Sequence, residues 1–153
     1  MPIPFAPSVP VRLLLVATPG ARAQQIIGWL SGSVIQMSTL VVSQVSNLEQ
    51  TLRTSTHDVV VCDFDSPAVC GLVALRIVRA TEQDLPFIFV SSAPDIGAAV
   101  AAIKAGANDY LQDSDLVHLA PSVRHEVTRA RERAQRRLAQ NQVRATLARM
   151  ELH

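Results

Sequence analysis

Three carboxylates stand where apolar runs give way to turns: Asp63 and Asp65 in VVVCDFDSP, and Asp113 in DYLQDSD. Carboxylate oxygens are the hard ligands that magnesium and calcium prefer, so Asp63, Asp65 and Asp113 together form a weak candidate divalent-ion site. The plainer alternative is that each caps backbone N–H groups at a strand end. Ser91, closing the run LPFIFVS, offers a hydroxyl that either joins such a site or satisfies its own strand end. Tyr110 reads equally as half-buried packing and as a moving part. Lys104 is the only lysine in the chain, and it falls in a helix preceding the last strand. Cys62 and Cys70 lack metal-ligand spacing and read as core thiols. Trp29 and the four histidines show no ligand spacing either and read as packing or surface residues.

The elements that position these groups follow from hydrophobic patterning. Residues 11–17 (VRLLLVA) form a continuous apolar run followed by Thr18-Pro19-Gly20, as expected of a central parallel strand ending in a loop. A helix over 21–30 places Ile26, Ile27 and Leu30 on one face, and Ser31-Gly32-Ser33 stops it. A weaker strand spans 34–42, and Ser46 or Asn47 caps a short helix reaching Arg53. Residues 58–64 (DVVVCDF) are a buried strand, followed by a helix from Gly71 or Leu72 to Ala80. A strand at 85–91, an alanine-rich helix at 94–105 closed by Gly106, and a short strand at 109–112 come next. A last helix starts near Leu116 and runs toward Leu152. Strands alternating with helices at this spacing predict a doubly wound α/β domain with a parallel sheet, in which chemistry gathers at the carboxyl ends of the strands.

Read in order, those strand ends are Asp63-Phe64-Asp65-Ser66-Pro67 with Gly71 four residues on, PFIFVSS at 86–92, and KAGANDYL at 104–111. This D-x-x-x-P-x-x-x-G pattern, with the G-A-x-x-Y-L stretch at its distance, resembles the receiver domains of response regulators over about residues 11–127. The wording is most similar to receivers found beside sensor histidine kinases, sensory-box (PAS) modules or diguanylate cyclases. The resemblance implies a flavodoxin-like five-stranded sheet with Asp63 as the phospho-acceptor position and Ser91 and Tyr110 as switch positions. It also implies a magnesium ion held by an acidic pair after the first strand, and a lysine after the fifth. Here Ala17 and Thr18 stand in place of the acidic pair, and Asp113 in place of the lysine. Phosphoryl transfer onto a carboxylate depends on neutralising charge. Exchanging a cation for Asp113 is therefore expected to repel a phosphoryl group and raise a neighbouring carboxylate's pKa.

Charge divides the chain. From Pro121 onward the net charge is +5 and before it −4, so a mildly acidic globule precedes a basic helix. Along that helix Leu119, Val123, Val127, Ala130, Ala134, Leu138, Ala145, Ala148 and Leu152, with Asn141 completing the series, make a weak coiled-coil seam. The expected organisation is an extended lead-in at 1–10, a receiver-like domain at 11–130, and a signalling helix or coiled-coil linker at 131–153. The lead-in does not read as a signal peptide, and no apolar run approaches the roughly 20 residues of a membrane span. A cytoplasmic protein is expected. Arginine density would suit nucleic acid, but no interleaved aromatics accompany it, so that partner is not expected.

The leading expectation is a non-enzymatic regulatory module, a pseudo-receiver with an impaired phosphorylation site. It would contact a sensor kinase or output-domain protein, pair through its C-terminal helix, and need no cofactor. A phospho-acceptor working at Asp63 with magnesium in a rebuilt site is the rival, and a constitutive dimerisation module the third reading.

Overall fold

The computed structural model describes residues 10–31, 36–67, 69–92 and 95–151. Strand β1 (Val11–Val16) is followed by helix α1 (Ala21–Ser31), β2 (Met37–Val42), α2 (Val45–Thr54), β3 (Val59–Asp63) and α3 (Gly71–Thr81). Then come β4 (Phe87–Ser91), α4 (Ile96–Lys104), β5 (Asp109–Gln112), a 3₁₀ turn (Asp113–His118) and α5 (Leu119–Glu151). The five strands form one parallel sheet ordered β2-β1-β3-β4-β5, the doubly wound flavodoxin-like arrangement.

The unbroken apolar runs arise because both sheet faces are covered. Successive side chains alternate sides, and each side meets a layer of helices. Leu13, Leu15, Val59, Val61, Ile88 and Val90 pack with Ile26 and Leu30 of α1 and with Leu119, Val123 and Val127 of α5. Leu14, Val16, Val60, Phe87 and Phe89 pack on the other side with Leu48 and Leu52 of α2 and Leu75 and Val78 of α3. Each of these large side chains contributes about 1.5–3 kcal/mol by leaving water.

Several expectations shift in detail. The last helix opens with a 3₁₀ turn (Asp113–His118) that already covers Leu116, and the α-helix proper, α5, starts at Leu119. Both leucines enter the same core, so hydrophobic spacing alone does not separate the two conformations. The front of the suggested seam is spent inside the domain, with Leu119, Val123 and Val127 buried there. Cys62 is buried as expected and burial pushes its thiol pKa far up, but Cys70 is exposed. It lies beyond the end of β3, at the N-cap of α3, outside the sheet's covered zone. Most of the lead-in (1–9), the first positions of the suggested second strand (34–35), Pro94 and Leu152 lie outside the described residues.

Two ion pairs fasten α5 to the amino-terminal end of the sheet. Arg137 Nη1 lies 2.5 Å from Asp84 Oδ2 and Arg131 Nη2 3.7 Å from Asp58 Oδ2. Residues 134–151 of α5 are exposed throughout.

Candidate functional site

Asp63 is the last residue of β3, and it lies beside the end of β1 at the point where the strand order reverses. Open α/β sheets bind ligands at such a switch point. Its side chain is 5% exposed. Burial pushes its pKa up, against the opposing pull of the Asp65 N–H and the Arg22 charge.

Ala17 and Thr18 follow β1. Ala17 is buried and brings no polar group, whereas Thr18 Oγ1 lies 2.6 Å from Ser66 Oγ. A hydroxyl pair thus stands where the family resemblance would put two carboxylates.

Arg22, in the first turn of α1, supplies the cation that position 113 lacks. Its Nη1 donates to Asp113 Oδ2 at 2.9 Å, and its Nη2 lies 2.7 Å from Asp113 Oδ1 as a charge contact without hydrogen-bond alignment. The same guanidinium places Nε 3.5 Å from Asp63 Oδ1. Burial alone would lower the arginine's pKa, but the hydrogen bond and charge of Asp113, joined by Asp63, hold it above its ordinary value. The expected repulsion by Asp113 is therefore corrected. Arg22 stands between the two carboxylates, and the upward pull on Asp63 comes chiefly from burial and then from Asp65.

Asp65 does not join Asp63 and Asp113 in a ring of carboxylates. Its N–H donates to Asp63 Oδ1 at 3.2 Å, while its carboxylate turns to the end of β4. There it accepts from Ser92 N–H at 2.5 Å, Ser92 Oγ at 2.8 Å and, more weakly, Ser91 Oγ at 3.4 Å. Tyr110 stacks edge-on against Phe64 with centroids 5.6 Å apart, and lies 6.2 Å from Phe89. Its hydroxyl is buried and has no hydrogen-bond partner among the described residues.

The structure thus gathers Asp63, Asp65, Ser91, Thr18 and Asp113 at one end of the sheet. Arg22, Ser66 and Ser92 are participants that the motifs did not single out. Arg22 was findable by topology: among α1 to α4 it is the only Lys or Arg in a first turn, and first turns follow the strands' carboxyl ends. Of the remaining candidates, Trp29 lies exposed on α1. His57 sits at the opposite end of the sheet, buried against Ser55, with Nε2 2.8 Å from Ser55 Oγ.

The fold and the strand-end carboxylate define a class of signalling domain, and the comparisons with known proteins agree. The model of the family described as "Response regulator receiver domain" matches residues 23–118. The chain belongs to this family, whose receiver domains serve two-component signalling. It is 31% identical over 103 residues to response regulator MprA of Mycobacterium sp. (strain KMS), covering 67% of this chain and 44% of that one. It is 30% identical over 80 residues to transcriptional regulatory protein PrrA of Mycobacterium leprae, covering 50% of this chain and 34% of PrrA. The chain therefore spans less than half the length of these relatives.

Among solved structures, the receiver domain of a putative Luxo repressor protein from Vibrio parahaemolyticus matches at a TM-score of 0.71 and 20% identity, over 83% of this chain and 97% of that one. The receiver domain of sensor histidine kinase PA1611 from Pseudomonas aeruginosa PAO1 matches at 0.66 and 20%, over 78% and 99%. That protein coordinates magnesium in its active-site cleft.

The residues of this chain do not fit that ion. Ala17 and Thr18 offer no carboxylate, and Asp63 Oδ1 already faces Arg22 and the Asp65 N–H. Asp113 is paired with Arg22, and among the described residues no cluster of three His, Cys, Asp or Glu groups is placed to hold a metal.

Proposed function

We propose that the chain acts as a regulatory protein-interaction module, a receiver whose aspartate-phosphate switch is disabled. The observation carrying this reading is the Arg22 bridge between Asp63 and Asp113. It puts a fixed guanidinium where a phosphoryl donor would need a metal ion and a free cation, and charge neutralisation is most of the catalysis in such a transfer. Two surfaces remain for signalling. Helix α4 exposes Ile96, Val100 and Ile103 beside β5 and Tyr110, an apolar face suited to a sensor kinase or output-domain protein in the cytoplasm. The projecting part of α5 offers a second contact, through which two copies pair as a homodimer.

Arg22 also lends the rival reading its one support, since a guanidinium beside Asp63 could neutralise an incoming phosphoryl group without metal. Intact-mass measurement after incubation with acetyl phosphate, with and without magnesium, separates the two. The disabled-switch reading expects no adduct under either condition. An adduct lost in Asp63→Asn would establish phosphorylation and overturn it.

A further inference from the structure

Asp65 has a place in the fold that the position-by-position resemblance does not assign. Its main chain and side chain face two different parts of the site. The N–H holds the Asp63 carboxylate, whereas the side chain crosses to the sequence leaving β4 and takes the N–H and hydroxyl of Ser92 and the hydroxyl of Ser91. Although Asp65 and Ser92 are exposed, the carboxylate takes two close donors and a third, weaker one, so it is charge-assisted at the mouth of the site. Three positions further along the sequence, Asp95 caps α4, its side chain accepting from Ala98 N–H at 3.0 Å.

Beneath it, Phe64, the residue between the two aspartates, packs edge-on to Phe89 at 5.2 Å and to Tyr110 at 5.6 Å. One short segment, 63–65, therefore contacts both the exit of β4, through the Asp65 carboxylate, and the Tyr110 ring, through Phe64.

We propose that Asp65 is a resident anion. Seated on Ser91 and Ser92, it pins the exit of β4, while its neighbour Phe64 packs on Tyr110, so this end of the α4–β5 face is presented permanently without any added phosphoryl group. Any anion carried on Asp63 would meet a like charge already occupying those donors. The proposal rests on the disabled-switch reading for its biological sense, but its geometry is independent, because the Asp65 contacts involve neither Arg22 nor Asp113.

The test uses the full chain grown with 3-fluorotyrosine, a label that reports Tyr110 alone because the chain contains a single tyrosine. Amide hydrogen exchange across residues 91–104 is followed on the same samples. The wild-type chain is expected to show one fluorine resonance that stays in place when magnesium and beryllofluoride are added. Asp65→Ala is expected to move or broaden it and to accelerate exchange at Ser92 and the first turn of α4 by about tenfold or more, the scale of a lost charge-assisted hydrogen bond.

Ser92→Ala removes one donor and leaves the carboxylate in place, so it gives a smaller acceleration at the same amides and covers the case in which Asp65→Ala fails to fold. Unchanged resonance and exchange in folded Asp65→Ala, or unchanged exchange in Ser92→Ala if Asp65→Ala does not fold, would overturn the proposal. A mass adduct at Asp63 with Tyr110 and the loop unmoved would instead sink the disabled-switch reading and leave the resident anion standing.

Discussion

Removing the guanidinium of Arg22 would leave Asp63 and Asp113 without the counter-ion they share. Arg22→Met keeps the aliphatic stem, and it is expected to cost about 1–2 kcal/mol in urea unfolding, discounted because Asp113 is partly exposed. The Asp63 pKa should rise further in the variant, read by a carbon-13 carboxyl titration, because the Arg22 charge pulls it down. A cycle with Asp113→Asn should return a coupling of about 0.5–3 kcal/mol, and strict additivity would dismiss the bridge.

Asp63 gives a signed pH dependence. Its folded pKa is raised, so the native state favours the protonated form. That contribution is whole below the ordinary aspartate value of about 3.9 and is lost as pH climbs through the folded value. Asp63→Asn should lack this loss and be relatively more stable at neutral pH than at pH 4, as measured by paired unfolding curves. At this scale the sequence made Asp63, Ser91 and Tyr110 legible, because motif spacing ties them to strand ends. It hid the meaning of Asp113, whose partner lies 91 positions away and meets it only once α1 folds onto the sheet face.

Gly71 shows how tightly one helix approaches the sheet. A Cβ there would lie 2.7 Å from Phe89 Cε1, and this buried ring packs against its neighbours Phe64 and Phe87. Gly71→Ala should therefore destabilise by about 1–3 kcal/mol, the cost of overpacking a filled core, despite alanine's better helix propensity. A calorimetric Tm unchanged or raised would mean that α3 can shift freely.

Element boundaries were readable where burial is two-sided. β3 and β4 are buried along their whole length, which makes their apolar runs unmistakable. β2 is an edge strand with three exposed positions in a row, so its pattern is diluted by solvent-facing residues. Helix α2 begins at Val45 without a side-chain cap, and the expected Ser46 or Asn47 capping signal falls inside the helix.

On the scale of the whole molecule, the projecting part of α5 carries two apolar stripes. Leu138, Ala145 and Ala148 continue the seam legible in the sequence, while the bulkier Val143, Leu147 and Met150 recur at spacings of four and three on roughly the opposite side. The first stripe is the one legible from spacing because it runs on from the core-facing Leu119, Val123 and Val127. Residues 131–151 hold six arginines and two glutamates, so self-association works against like charge. Sedimentation should show a concentration-dependent dimer that tightens with added salt as repulsion is screened, and a monomer when residues 132–153 are deleted. Identical masses for both chains would exclude pairing through this helix.

The ion pairs Arg131–Asp58 and Arg137–Asp84 mark where α5 leaves the globule, and on the proposed signalling role the helix beyond them would be a lever with its fulcrum at the sheet's amino-terminal end. At 1.5 Å per residue, the stretch from Arg137 to Glu151 reaches about 21 Å. A tilt of about 10° at the fulcrum would sweep its tip through about 4 Å. A sub-ångström repacking beneath Val127 could thus be delivered, magnified, to whatever grips the far end.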